Sequence, residues 1–428
     1  VTVVNPRHLL GMNARVQLYT SLNPMSAKKY GFSKLRAKAF LKKHGILVPE
    51  LYGQIGSPEE LRQFSWHGIP GGFAVKPASG SAGKGIVVIK RKKPRQLIWT
   101  DVAGRDWTED DLNLHVSDIL AGQYSTWGSR HMALIEERIP IHPDLEQYAQ
   151  LGTPDIRVIV FHNIPVMAMA RIPTEASGGR ANLDQGAIGL GLDMGTGKSI
   201  YGVSGKKKVI TNFPHNNLSV RGIQIPFWTE VLKTAVRVAN STGLVFMGCD
   251  IFLHPEKGPM VAEVNAYPGL SIQLANRAGL RRRLERLEGV EARNVAHAVK
   301  IAQSLFAESY PGAAGEFDRP IIAPKEKILV YDLDEKPHEI LALVNTARGR
   351  SVIAESLAEQ LALDKQAAIL SEELEEGGGK APVVPVKIKI SDRVLNTSMA
   401  VSKRLNNKRH RVELGRKELS GFLVGEEL

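Results

Sequence analysis

The chain has almost no cysteine. Cys249 is its one copy in 428 residues, which excludes an intramolecular disulfide and any zinc cluster built on several thiolates, and fits a reducing compartment. Long apolar runs are missing as well. No stretch of about 18 apolar residues occurs, and the opening Val1-Thr2-Val3-Val4-Asn5-Pro6 lacks the charged and apolar regions of a secretion signal. The expectation is a soluble, cytoplasmic protein with no membrane segment. No repeat of solenoid period is seen. What is present is globular: 43% hydrophobic and 23% charged residues, over a length that calls for two or more domains. The net charge of +12 suits anionic or phosphate-bearing partners. Its basic residues are scattered apart from runs such as Lys90 to Lys93, Lys206 to Lys208, Arg281 to Arg283 and Lys408 to Arg411. These read as solvated surface, and nucleic acid is not the expected partner.

Residues 1–32 show weak periodicity and several turn formers and read as an irregular lead-in with one short helix. Ser33 can cap a helix over 33–44, which His44-Gly45 stops. Three hairpins follow. The first runs from Gly72 to Lys90 around the loop Ser79 to Gly85, the second from Ile156 to Ile172 with its turn at His162-Asn163, and the third from Met247 to Val264 with its turn at His254 to Gly258. Helical spacing appears at 227–242, 271–287 and 294–309. Tyr310-Pro311-Gly312-Ala313-Ala314-Gly315 reads as a linker, and beyond it β-rich stretches surround one helix near 351–362.

The third hairpin carries the most specific chemistry. Gly248-Cys249-Asp250-Ile251 and Val261-Ala262-Glu263-Val264-Asn265-Ala266-Tyr267-Pro268-Gly269 set acidic side chains and an Asn on adjacent strands. Period two puts Glu263 and Asn265 on one face. Hard oxygen donors on neighbouring strands suit Mg²⁺, which would keep its other positions for phosphate oxygens and water. A lone acidic residue in a strand is more simply a solvated one; the pair with Asn265 and the Pro-Gly turn favours a metal site at Asp250, Glu263 and Asn265. The glycine loop, with Ser79, Gly80, Ser81, Gly83 and Gly85, can bring backbone N–H groups onto a triphosphate. It is not a Walker loop, since the spacing differs and a strand follows. Lys76, on the strand before it, could reach a phosphate.

Taken in order, Ser33 to Lys38 running to Pro49, Val75-Lys76 with its loop, Leu134-Ile135-Glu136-Glu137-Arg138-Ile139, Asp155-Ile156-Arg157-Val158 and Gly248 to Gly269 resemble the RimK-like branch of the ATP-grasp superfamily. The resemblance covers about Lys34 to Leu280. It implies that Lys34 and Lys76 grip ATP phosphates, that the backbone edge of Glu136, Glu137, Arg138 and Ile139 recognises adenine, and that Arg157 and Arg171 face the reacting groups. An arginine fork matches two oxygens of a phosphate at once. Asn182 sits where RimK-like proteins carry an Asn, in a Gly-rich segment over 174–199 that reads as a substrate loop. The activity implied is an ATP- and Mg²⁺-dependent (Mn²⁺ as substitute) carboxylate–amine ligation through an acyl phosphate, releasing ADP, with amino acids or peptides as substrates. A nucleotide-binding scaffold that recruits a peptide or protein partner is the alternative.

Two departures limit the analogy. Only about 30 residues precede the helix at 33–44, where RimK relatives carry a sizeable N-terminal domain. The chain is closer to alpha-L-glutamate ligase-like proteins, which open with a stretch similar to Leu10-Gly11-Met12-Asn13, and glutamate need not be the substrate. The C-terminal part looks like the retropepsin-type fold of RimB-like proteins through Ala342-Leu343-Val344-Asn345-Thr346-Ala347 and Arg411 to Leu419. Asn345 stands where an aspartic peptidase has its Asp, and an amide cannot take a proton from water. The expected fold class is therefore α+β: lead-in 1–32, an ATP-grasp unit of two α+β subdomains clasping ATP over 33–309, a linker at 310–325, and a small, mainly β, retropepsin-like domain over 326–428 without peptidase activity. That domain could hold a peptide or protein partner, and a homo-oligomer is left open.

Overall fold

The computed structural model describes residues 6–78, 84–124, 131–205, 208–287, 289–307, 321–365, 370–373, 380–391, 393–419 and 422–424. Ser79, Gly80, Ser81 and Gly83 of the glycine loop, and 310–320 of the expected linker, lie outside the described residues. By internal contacts the chain divides into two compact units. One comprises Val4–Asp193 and Gly197–Arg286; the other consists chiefly of Leu287–Leu428.

The first unit holds two antiparallel sheets. In the first are β1 (Leu51–Ile55), β2 (Phe73–Pro77), β3 (Val87–Lys92), β4 (Ile98–Asp101), β5 (Asp106–Thr108) and β6 (Ala133–Glu137), in the order β1-β6-β2-β3-β4-β5. Alternation in β2 turns Phe73 and Val75 into a core with Trp66 and Trp99. Leu112, Val116 and Ile119, spaced three and four apart on the helix Glu109–Leu120, join that core. The same alternation leaves Lys76 on the opposite face from Val75.

The second sheet contains β7 (Asp155–Phe161), β8 (Ile164–Ile172), β9 (Ile188–Leu192), β10 (Ser199–Ser204), β11 (Lys208–Ile210), β12 (Phe246–His254) and β13 (Gly258–Asn265), ordered β11-β10-β9-β8-β7-β12-β13. All three expected hairpins are present as β2–β3, β7–β8 and β12–β13. His162 and Asn163 both take positive φ, 48° and 62°, the geometry of the two-residue turns that match strand twist. The helix Trp228–Thr242 buries Val231, Leu232, Ala235, Val238 and Ala239 and packs against β7, β8, β12 and β13. It ends at Gly243, φ 71°, a left-handed cap that glycine supplies without strain.

Two expectations are corrected. The lead-in is not irregular: it forms short turns at Pro6–His8, Met12–Ala14, Arg15–Tyr19 and Thr20–Leu22, then the helix Met25–Phe32. Arg15–Tyr19 is a π turn, which shifts side chains off the 3.6-residue spacing and erases the helical period from the sequence. The single helix expected over 271–287 is two, Ile272–Asn276 and Leu280–Glu285, separated where Arg277 takes φ 47°.

The lead-in is fastened to the second sheet. Asn23, buried, accepts from Phe246 N–H at 2.8 Å and donates to the Phe246 carbonyl at 2.8 Å. Tyr19 meets Phe161 edge-on at 5.5 Å. Gly31 comes so close to Ala266 that a β carbon there would lie 2.5 Å from the alanine methyl. None of the described helices is long and apolar enough to cross a membrane.

The second unit contains the helix Val295–Phe306 and a closed barrel. Its ring is Lys325–Tyr331, Pro337–Val344, Val412–Leu414, Val352–Ala354, Arg393–Ser402 and Lys380–Ile390, the last pairing back onto the first. Ile328, Val330, Ile388, Ile390, Met399 and Val412 are among the residues filling its interior.

Removing the Asn23 amide leaves both backbone groups of Phe246 unmatched in a buried site. Asn23→Ala should lower the urea-unfolding free energy of the first unit by about 2 kcal/mol, read from the full chain's tryptophan fluorescence.

Candidate active site

The register of the second sheet assembles a row of charged side chains. Asp250 on β12 lies directly opposite Arg157 on β7 and Glu263 on β13, and Asp155 lies opposite Arg171 on β8. Directly opposed residues share a face. A register shift between Asp250 and Ile251 brings Glu263 rather than Ala262 against Asp250. Such a bulge re-aims side chains locally.

Asp250 is gripped from two sides. Arg157 donates Nε to Oδ1 and Nη2 to Oδ2, both at 2.7 Å, and Arg171 Nη2 reaches Oδ2 at 2.8 Å. Arg171 also forks onto Asp155, with Nε on Oδ1 at 2.6 Å and Nη2 on Oδ2. Asp155, Asp250 and Arg171 are buried. Burial alone would raise the Asp250 carboxyl, but Arg157 and then Arg171 hold it well below the usual carboxylate range. Asp155 is shifted the other way, by burial first and by the neighbouring Asp250 charge, because one arginine does not offset both. Two guanidinium groups and two carboxylates make the row nearly neutral.

Glu263 is more open, with Lys34 Nζ 3.8 Å from its Oε1. Asn265 Nδ2 points at Asp250 Oδ2 from 3.4 Å. Among the described residues no group of three or more His, Cys, Asp and Glu is arranged to hold a metal. The oxygens of Asp250, Glu263 and Asn265 nevertheless form a hard-donor set that fits Mg²⁺ completed by phosphate oxygens. Asp250 would then have to release part of its arginine fork.

A second charged cluster lies on the first sheet. Lys76 on β2 and Lys38 on the helix Lys34–Lys43 both meet Glu136 Oε2 on β6, each at 2.5 Å. Lys38 and Glu136 are buried and Lys76 is half-buried, and Glu136 Oε1 has no hydrogen-bond partner. Burial would raise Glu136, yet Lys76 and Lys38 hold it down at about 2. Lys76 stays above the ordinary lysine value because Glu136 overcomes the downward effect of burial. Lys38 falls to about 7, through burial first and the Lys76 charge second. One carboxylate does not keep two adjacent ammonium groups charged, so Lys38 is left part-neutral near pH 7 and can take up a proton when an anion arrives.

The sequence-predicted residues separate accordingly. Lys76 and Glu136 come together, but the lysine completing that cluster is Lys38. Lys34 faces Glu263 instead. Glu136 and Glu137 have their backbones within the sheet, Glu136 between Leu51 and Ala74 and Glu137 opposite Phe73 with its N–H on Glu50 O. Arg138 N–H donates to Gly72 O, and Ile139 O accepts from Thr153 Oγ1 at 2.6 Å. Part of the 136–139 backbone edge expected for a base is thus paired within the fold. Asn182 caps the turn Leu183–Gln185, accepting from Asp184 N–H at 2.9 Å, and no described contact ties it to either cluster. Gly85 takes φ 73°, and a β carbon there would strike the Tyr124 ring at 2.5 Å. His115, its imidazole pKa lowered by burial, holds the Gly85 carbonyl at 3.0 Å.

Sequence reasoning passed over Lys38 and Asp155. Each had a signal: Lys38 lies between Ala37 and Leu41 on the buried stripe of its helix, where a charge needs a partner. Asp155 lies two residues before Arg157, on the same strand face. In the second unit Asn345 donates to Glu413 Oε2 at 3.3 Å and accepts from Ala347 N–H. Burial would raise the Glu413 carboxyl, but Arg404 and Arg348 hold it below its ordinary value.

Residues 13–289, well over half the chain, match the model of the family described as sugar-transfer associated ATP-grasp, and the chain belongs to that family. The ATP-grasp superfamily is the one the motifs implied; the branch description differs from the RimK-like one. None of the curated proteins searched matches the chain. Among solved structures it is similar to the ATP-grasp ligase PsnB complexed with minimal precursor, at 17% identity and TM-score 0.35, over 62% of this chain and 63% of PsnB. It thus spans just under two thirds of that protein's length. It is also similar to the D-alanine–D-alanine ligase of Bacillus anthracis, at 14% identity and TM-score 0.33 over 68% and 74% of the two chains. D-cycloserine synthetase DcsG shows 14% identity and TM-score 0.35 over 62% and 72%.

A polyphosphate arriving beside Lys38 should return its proton. At about pH 8, nucleotide binding is expected to take up close to one proton, falling towards none below about pH 6, where Lys38 is already charged. Calorimetry in buffers of different ionisation enthalpy measures this. Lys38→Met should remove the uptake and Lys34→Met should leave it.

Proposed function

We propose that this member of the sugar-transfer associated ATP-grasp family is an ATP- and Mg²⁺-dependent, ADP-forming carboxylate–amine ligase acting on an amino acid or peptide. The observation that carries the reading is the opposition of Asp250 and Glu263 on paired strands, with Arg157 and Arg171 on the same face. A carboxylate approaching the γ-phosphorus is an anion meeting an anion, and the barrier is largely electrostatic. Asp250, Glu263 and Asn265 would hold Mg²⁺, which supplies charge neutralisation between phosphate oxygens.

The remaining work belongs to the chain's own side chains. Lys76, and Lys38 once it takes up a proton, together carry one charge more than Glu136 cancels and so hold the phosphates. Arg157 and Arg171 present planar forks that can pass from Asp250 to phosphate or acyl phosphate oxygens, because both partners accept in the same bidentate geometry. The segment 174–199 is not a loop throughout, since Ile188–Leu192 is a buried strand paired on both sides. Exclusion of water, which would hydrolyse an acyl phosphate, falls to the loop at 79–85 and to the part of that segment before the strand, 174–187.

In this reading the C-terminal barrel is retropepsin-like and binds a peptide or protein partner without cleaving it. Asn345 has no acid–base capacity, and Glu413 beside it is tied to Arg348 and Arg404. A carboxylate so held is a poor base.

The family's description associates it with sugar transfer, so the test panel includes sugar acids and amino sugars beside amino acids and peptides. With Mg²⁺ and ATP, one acid–amine pair should release ADP and give a product whose mass equals the sum of the two minus water. Glu263→Ala should cut ADP release by about a hundredfold or more. Nucleotide binding without ADP release from any pair would favour a scaffold, and unchanged turnover in the variant would remove the assigned metal site.

A further inference from the structure

Residues 6–32 dock on the second sheet by one side only. Leu10, Tyr19, Asn23 and Ala27 are buried. Leu9, Met12, Val16, Leu18, Leu22 and Met25 are exposed, with Met12 at 72% and Met25 at 77%. They are spread along successive short turns, from the residue after Pro6–His8 to the first residue of the helix Met25–Phe32, so they share exposure on one docked segment rather than a single helical stripe. Single exposed apolar residues are ordinary, but so many on one short docked segment form a patch.

The charge carried by the segment itself has one sign. The first 49 residues contain nine Lys and Arg and no Asp or Glu; the first acid is Glu50. Arg7 and Lys29 are exposed, and Lys28 is half-buried. The helix Leu280–Glu285 packs on the turn Pro6–His8, with Gly279 close enough that a β carbon would lie 2.1 Å from the His8 carbonyl oxygen. This contact adds Arg282, whose charge acts on His8, and Glu285, whose opposite charge acts on it less and which is paired with Arg281.

Alkyl side chains rimmed by cations complement an anionic bilayer: the alkyl groups enter the interface while ammonium and guanidinium groups meet headgroup phosphates. A two-fold copy of the same face would bring lysine against lysine, with no acid in the segment to pair them. We propose that the outer face of residues 6–32, centred on Met12, Val16 and Met25, is a docking surface for anionic phospholipid membranes. Arg15 donates to the Pro268 carbonyl at 2.9 Å, so docking fixes the turn after Asn265 beside the lipid surface. The proposal is independent of the ligase reading.

The test is co-sedimentation of the full chain with phosphatidylcholine vesicles, with and without phosphatidylglycerol. Binding is expected to the anionic vesicles and not to the neutral ones. The exposed-site variant Met12→Ser/Val16→Ser/Met25→Ser and the charge variant Lys28→Glu/Lys29→Glu should each weaken it by about tenfold or more, with unchanged melting temperatures. Failure to sediment, equal binding to both vesicle types, or variants that bind like the parent would overturn the proposal. So would a dimer that the serine variant abolishes, which would assign the patch to self-association.

Discussion

Opposite charges locked together on a buried sheet face are the constraint around which the first unit is arranged. Asp250, Arg157, Arg171 and Asp155 are drawn from three adjacent strands, so a slip of any strand by one residue would send its charges to the opposite face. Withdrawing one member would strand its partners without water, at a cost of about 3–5 kcal/mol. Register, charge balance and site geometry are thus a single condition.

The two clusters differ in how their charges close. The aspartate–arginine row is matched two against two, which lets it persist without a ligand while keeping its forks ready for another bidentate acceptor. Lys38, Lys76 and Glu136 do not balance, and the surplus appears as a lysine driven down towards neutrality. One cluster stores geometry and the other stores attraction for an anion. The same helix that supplies Lys38 begins at Lys34, beside Glu263, and so links the two.

Much of this was legible from residue order. Alternation and turn chemistry located the three hairpins, and period two was enough to set Glu263 and Asn265 on one face. What stayed hidden depends on distant pairing. Nothing local announces that Lys38 meets Glu136, about a hundred positions away, or that a bulge brings Glu263 opposite Asp250. The lead-in's turns are illegible in the sequence because a π turn and several short turns leave no steady period, although Asn23 and Gly31 hold it against the second sheet. Arg277 divided an apparently continuous helix by a backbone angle that composition does not advertise.

The barrel's closure has a consequence for recognition. Many domains capture extended peptides by offering an open sheet margin, on which the guest continues the ladder through its own backbone. Here Lys380–Ile390 joins Lys325–Tyr331 and completes the ring, so those strands already have neighbours on both flanks. A guest at that junction would be read through side chains and loops, whereas the strand Leu370–Glu373, paired among the described residues on one side only, with 380–383, leaves an open margin where a guest's backbone could continue the ladder.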